Sequence, residues 1–207
     1  MTTFGARGAQ STDGADHPVG ASPTRSPRPS GDRTIGAPVA MVDDRVRPIT
    51  PADVSRTVEL IYELAEYEKL PGHCHITDEQ LHAALFAPQP ALYGLAAFDS
   101  VGAGTDAQVG YALYFLNFST WEGVHGIYLE DLFVAPDHRG SGLGKAMLAT
   151  LAATAQAHGF ARVEWSVLDW NTPSIDFYRS LGAFPMDGWT TFRLTGDALA
   201  QVGRRTA

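Results

Sequence analysis

The 207-residue sequence predicts an α/β domain built on a mixed sheet, preceded by an unfolded extension. Three observations carry this. Stretches of strand and helix character follow one another in the order β-α-α-β-β-β-α-β-α-β. The middle strands are joined by short connections and so pair antiparallel, while a strand-helix-strand crossover over residues 127–168 gives one parallel pair. The first 44 residues stand apart: Gly, Pro, Ser and Thr supply 20 of them, and Phe4 is their only aromatic. Such a segment cannot bury enough apolar surface to offset its ordering entropy. Residues 1–44 are therefore expected to be disordered and dispensable, and the domain to occupy 45–200.

The elements follow in order. Arg45–Ile49 reads as a short first strand. Thr50-Pro-Ala-Asp53 opens a helix, with Thr as N-cap, Pro in the first helical position and Asp in the third. Val54, Val58, Ile61 and Ala65 make its apolar stripe, and Pro71-Gly72 stops it. Thr77-Asp-Glu-Gln80 is a second capping box, for a helix through Leu85. Leu92–Phe98 and Val109–Phe118 are strands joined by a loose turn at 99–107, and a loop with Trp121, Glu122 and His125 leads to a strand over Tyr128–Val134. A helix from Gly142 to His158 buries Leu143, Met147, Leu148, Leu151 and Ala155 and ends at Gly159. Then come a strand over 161–168, a helix opened by Asn171-Thr-Pro-Ser174 and ended by Gly182, a last strand over 189–195, and a polar tail.

Composition bounds the function. The formal charge is −8, and residues 45–207 alone hold 11 basic and 18 acidic residues, so the acidity belongs to the domain. That disfavours nucleic acid as a partner and favours a cationic ligand. Cys74 is the single cysteine, so no internal disulfide forms, and a reducing compartment follows. No apolar run reaches the ~18 residues of a membrane span, and the N-terminus lacks a signal-peptide pattern. The expected location is cytoplasmic, with no membrane partner. His73-Cys74-His75 lacks a second ligand pair at zinc spacing, so no metal is expected.

The chemistry concentrates in Tyr128–Lys145. Arg139-Gly-Ser-Gly-Leu-Gly144 lies between a strand and a helix. Its glycines let backbone N–H groups turn toward an anion, and the following helix adds its own unpaired N–H groups and dipole. This is a pyrophosphate cradle. It is neither a Rossmann nor a Walker loop, because the spacing differs and Lys145 is followed by Ala146. Just upstream stand Glu130 and Asp131, two carboxylates in a strand. Strict alternation puts them on opposite faces unless a bulge intervenes.

The cradle matches R-x-x-G-x-G, the acyl-CoA pyrophosphate loop of the GNAT acetyltransferases. Together with Glu63-Leu-Ala-Glu-Tyr-Glu68, Tyr128-Leu-Glu-Asp-Leu-Phe-Val134 and Asn171-Thr-Pro-Ser-Ile-Asp-Phe-Tyr178, it resembles the diamine (spermidine/spermine) N-acetyltransferase family over roughly residues 45–195. The resemblance implies the GNAT acyl-CoA acyltransferase fold: a mixed, mostly antiparallel sheet with one parallel, splayed strand pair, flanked by helices. It implies acetyl transfer from acetyl-CoA, as cosubstrate, to a primary amine, and a homodimer.

The residues carry the implied roles as follows. An ammonium has no lone pair, and lysine-type amines have a reference pKa near ~10.4, so a base is needed. Glu130 is the candidate, acting directly or through a water. The departing thiolate needs a proton, and the resemblance assigns Tyr178 as its donor. Backbone groups of Leu132, Phe133 and Val134 would pair with the pantetheine amides. The N–H groups of Gly140, Ser141, Gly142, Leu143, Gly144 and Lys145 would hold the pyrophosphate, with Arg139 neutralising it from the rim. Asn171 and Ser174 would contact CoA beyond the second strand. The amine pocket maps onto Tyr67, Glu68, Glu130, Asp131 and Trp165, acids and an aromatic wall suited to a cation on an alkyl stem.

The loop with Trp121 and His125 differs from the polyamine enzymes, so diamines, polyamines and thialysine-like compounds are all candidate substrates. Two other readings share the fold: a protein or peptide N-acetyltransferase, and a non-enzymatic acyl-CoA-binding regulator. Glu68 and Glu130 argue against the first, and the presence of both Glu130 and Tyr178 against the second.

Overall fold

The structure, a computed structural model, describes residues 35–100 and 107–204, and the disorder expected for residues 1–34 and the tip of the 99–107 turn lie outside it. The described chain forms two compact units, one ending at Trp165 and one beginning at Ser166.

The first unit carries a five-stranded sheet in the order β1 (Val46–Pro48), β2 (Tyr93–Phe98), β3 (Gln108–Ser119), β4 (Val124–Val134), β5 (Val163–Glu164). The first three pairings are antiparallel and β4–β5 is parallel, as the crossover requires. The connecting helices are α1 (Val54–Tyr67), α2 (Asp78–Phe86) and α3 (Leu143–His158). His125, expected in a loop, lies in β4, whose first residues pair with the end of β3.

Both capping boxes form. Asp53 accepts from the Thr50 N–H at 2.7 Å and is gripped by Arg47 at 2.6 and 2.8 Å. Thr77 Oγ1 accepts from Gln80 N–H at 3.3 Å, and Gln80 Oε1 accepts from Thr77 N–H at 3.0 Å. The buried side of α1 includes Thr57 and Leu60 beside the expected Val54 and Val58. These pack with Leu81 of α2 against Ala96, Tyr111, Leu113 and Phe133 of the sheet. On α3 every expected core position is buried, joined by Ala146, Thr150 and Thr154. Gly159 closes that helix at φ +70°, where a β-carbon would be strained.

Residues 35–44, which composition groups with the extension, make contacts with the domain. The buried Tyr114 hydroxyl donates to Gly36 O at 2.9 Å, Tyr93 donates to Ile35 O, and Val42 N–H donates to Thr150 Oγ1 at 3.3 Å. Composition averages over the stretch, whereas two tyrosines, 58 and 78 residues away from their partners, decide its last ten residues. Deleting 1–44 would orphan the Tyr114 hydroxyl, a cost of about 1–3 kcal/mol. We expect that deletion to lower the melting temperature by about 4–10 °C, and deletion of 1–34 to leave it within about 1 °C of the full chain. Differential scanning calorimetry of the two truncations checks this, and equal melting temperatures would remove the structural role of 35–44.

The second unit contains α4 (Thr172–Ser180) and α5 (Gly196–Gly203). Two expectations fail here. Residues 189–195 form no strand, because among the described residues no neighbour supplies a ladder for them. The tail expected to be merely polar forms α5, which exposes Leu199 and Val202.

Candidate active site

The site in the first unit is organised by an interruption in β4. Leu113 pairs with Asp131, but the next residue, Tyr114, pairs with Leu129. Glu130 is thus the extra residue of a β-bulge. The bulge inverts the alternation, so Phe133 faces α1 while Leu129 pairs with Tyr114, one residue on from the α1-facing Leu113. Glu130 is exposed, whereas Asp131 is partly buried in register with Leu113.

Asp131 is the electrostatic centre of the site. Burial, and then the charges of Glu130 and Glu68, push its carboxyl up to about 6. Glu68 caps the C-terminal end of α1, where the helix dipole already disfavours a negative charge, and burial raises its pKa as well. Tyr111 belongs to the same cluster and was missed in the sequence. It is fully buried, 6.2 Å from the Phe133 ring, and among the described residues its hydroxyl finds no hydrogen-bond partner. Burial and the negative field of Asp131 push its phenol well above the usual range. A strand tyrosine in an apolar run gives no sequence signal of this role. These four polar groups form a cluster of unfavourable charge that a cation would relieve.

On the far side of the bulge β4 leads into the glycine loop. β5 pairs only with Ile127 and Tyr128, so among the described residues no strand covers the edge of β4 from Leu129 to Val134 on that side. This is the expected splay. The strand predicted for 161–168 shortens to Val163–Glu164 for the same reason. Of the three residues expected to present backbone there, Leu132 and Val134 are partly buried and Phe133 is in the core, while Val134 O already accepts from Arg139 Nε at 3.0 Å.

The cradle has the geometry an anion needs. Gly140 and Gly142 sit at φ +79° and +87°, and a β-carbon at Gly140 would meet open space. Gly142 begins α3 without a side-chain cap, and the first turn holds no acidic residue. The N–H groups of Leu143, Gly144 and Lys145 are thus uncapped by any side chain and point along the positive end of the helix dipole. Ser141 folds its hydroxyl back onto His138 O at 2.6 Å. These features fit the diphosphate of an acyl-CoA. The Arg139 guanidinium lies 4.5 Å above the Tyr67 ring and 5.6 Å from that of Phe133. It thereby bridges the cradle to the end of α1, where Tyr67 and Glu68 stand. Trp165, partly buried, ends this unit just beyond β5.

The second unit holds the remaining candidates. Asn171 caps α4, its Oδ1 accepting from Ser174 N–H at 3.4 Å, and Pro173 stands in the first turn. Tyr178 sits near the end of α4 with its ring 5.4 Å from that of Phe177. Gly182 at φ +88° closes the helix. Among the described residues no group of three or more His, Cys, Asp or Glu could hold a metal ion. No described helix is long and apolar enough to cross a membrane.

Residues 58–183 match the model of the Acetyltransferase (GNAT) family. The chain is 37% identical over 164 residues to a thialysine N-epsilon-acetyltransferase of Bos taurus, covering 76% of this chain and 95% of that protein. It is 30% identical to the human spermidine/spermine N(1)-acetyltransferase-like protein 1, over 76% of this chain and 23% of that one. Among solved structures, an integron cassette protein of V. cholerae superposes with a TM-score of 0.62 at 24% identity, covering 76% of this chain and 95% of that one.

Proposed function

The chain belongs to the GNAT acetyltransferase family, and from that premise we propose that it moves acetyl from acetyl-CoA to a primary amine of a small cationic substrate, of thialysine, diamine or polyamine kind. The carrying observation is the acidic cluster of Asp131, Glu130 and Glu68, in the same unit as an uncapped glycine cradle. Acetyl-CoA supplies the activated thioester; its diphosphate falls to Gly140–Lys145 and its pantetheine to the open edge of β4. Asn171 and Ser174 serve the same ligand.

The protein residues divide the remaining work. Asp131 and Glu68 attract the ammonium, with Tyr67 as an aromatic wall and Trp165 beside it. Glu130, exposed on the bulge, takes the proton and passes it to solvent. The amine then attacks the thioester directly in a ternary complex, with no acyl-enzyme on Cys74. Tyr178 returns a proton to the departing sulfur. The protein is assigned to the cytoplasm as a homodimer. The homodimer is supported by exposed Phe184, Met186, Trp189 and Phe192 in the second unit, apolar area that a second copy would cover.

A thiol-release assay with acetyl-CoA against thialysine, diamines, polyamines, free amino acids and a lysine peptide tests the reading. Release with the small cationic amines, at kcat/KM at least about tenfold above the peptide, is expected. Release with no amine would overturn it, and preference for the peptide would move the substrate class to proteins.

A further inference from the structure

We infer that Arg45, ahead of the first strand and outside every motif in the sequence, is a positioning residue for the anion cradle; this rests on the reading that the cradle holds the acyl-CoA diphosphate. Arg45 is locked at both ends. Its backbone O accepts from Phe98 N–H at 2.9 Å, which ties it to β2. Its guanidinium forks onto Asp43, with Nε to Oδ1 at 3.0 Å and Nη2 to Oδ2 at 2.7 Å, and its own N–H donates to Oδ1 at 2.9 Å. The remaining nitrogen reaches across 96 residues: Nη1 donates to Ser141 O at 3.2 Å. A β-carbon built on Gly142 would come within 4.0 Å of Nη2.

The consequence follows from peptide geometry. In a trans peptide the C=O of Ser141 and the N–H of Gly142 point in opposite directions. Pinning Ser141 O toward Arg45 therefore aims the Gly142 N–H away from it, into the cradle. Gly142 is the residue at φ +87° from which α3 starts, so the same contact sets the entry angle of the helix. Donation to the carbonyl also polarises that peptide and strengthens the outward N–H as a donor. Asp43 neutralises the guanidinium, so Arg45 acts by orientation and its charge is spent on its partner. The Arg45 guanidinium, by hydrogen bonding, holds the Asp43 carboxyl down to about 2, so the strut stays ionised at any working pH.

The test measures CoA affinity by calorimetry on the full chain, alongside kcat/KM for acetyl-CoA and for S-acetylpantetheine, which lacks the diphosphate. Arg45→Ala is expected to weaken CoA binding about tenfold, the scale of one lost orienting hydrogen bond, and to leave kcat/KM for S-acetylpantetheine within about twofold. Arg45→Lys keeps the charge but cannot fork onto Asp43 and reach Ser141 O together, so it is expected to lose affinity nearly as Arg45→Ala does, which separates orientation from charge. Should Arg45→Ala fail to fold, Asp43→Asn frees the same strut and should show the same selective loss at about threefold. CoA affinity unchanged in these variants, or equal losses with both thioesters, overturns the inference while the proposed function stands. A parent protein that binds no CoA overturns both.

Discussion

Replacing Tyr178 with Phe is expected to lower kcat by about 10²–10⁴, the range of a lost general acid, and to leave CoA affinity within about twofold. The residue stands on a helix whose start is specified by Asn171 and Pro173 and whose end is specified by Gly182. The substitution keeps the ring, which lies 5.4 Å from that of Phe177, and removes the hydroxyl that would donate the proton. A thiolate expelled without a proton reverts by attacking the new amide precursor, so the loss falls on the chemical step and spares binding. Steady-state thiol release with calorimetric CoA titration separates the two. An unchanged kcat would reject Tyr178 as the acid, and a parallel loss of CoA affinity would recast it as a binding residue.

Replacing Asp131 with Asn is expected to raise KM for the amine by about 10- to 150-fold, the worth of one charge-assisted contact, with KM for acetyl-CoA little changed. The same substitution should make the protein more stable. The carboxyl, raised in the fold to about 6 by burial, Glu130 and Glu68, ionises more easily when unfolded, where its ordinary value is 3.8. The folded state therefore holds the proton more tightly, and ionisation weakens the fold. That cost grows as pH rises from about 4 to about 6 and is fully present above it. The Asp131→Asn substitution removes it, with a gain on the order of 1–2 kcal/mol at pH 8 that fades as pH falls toward 4. Melting curves across this range, set beside amine KM in the parent, test both halves. The parent's KM should climb as pH drops through about 6, where Asp131 gains its proton. A pH-independent stability difference would show that Asp131 is not the titrating group.

Much of the fold was legible because it is written in short-range interactions. Two capping boxes, the glycine stops and the buried rows of α3 depend on residues three or four apart, and each formed where the pattern placed it. The strand-loop-helix cradle was legible for the same reason: φ near +80° at Gly140 and Gly142 is a demand the side chain itself meets. Site residues that depend on long-range contacts were less legible. The contact of the Arg139 guanidinium with Tyr67, 72 positions earlier in the chain, has no local signal.

What the sequence determined by itself is the chemistry on offer: a glycine-lined anion cradle, two adjacent carboxylates, an acidic end to the first long helix, and a tyrosine on a capped helix. Tertiary structure alone decided how these are shared out. The bulge exposes Glu130 and buries Asp131, although the two are neighbours of nearly identical chemistry. The register of β3 brings the buried Tyr111 hydroxyl into the field of Asp131. The ten residues after 34, which carry no helix or strand pattern of their own, are held by Tyr93 and Tyr114. Residues 189–195, with the side chains of a strand, form none among the described residues because no ladder is offered. The physical reason is common to all four: a local pattern sets what a residue can do, whereas burial, register and pairing are supplied by partners far away in the chain.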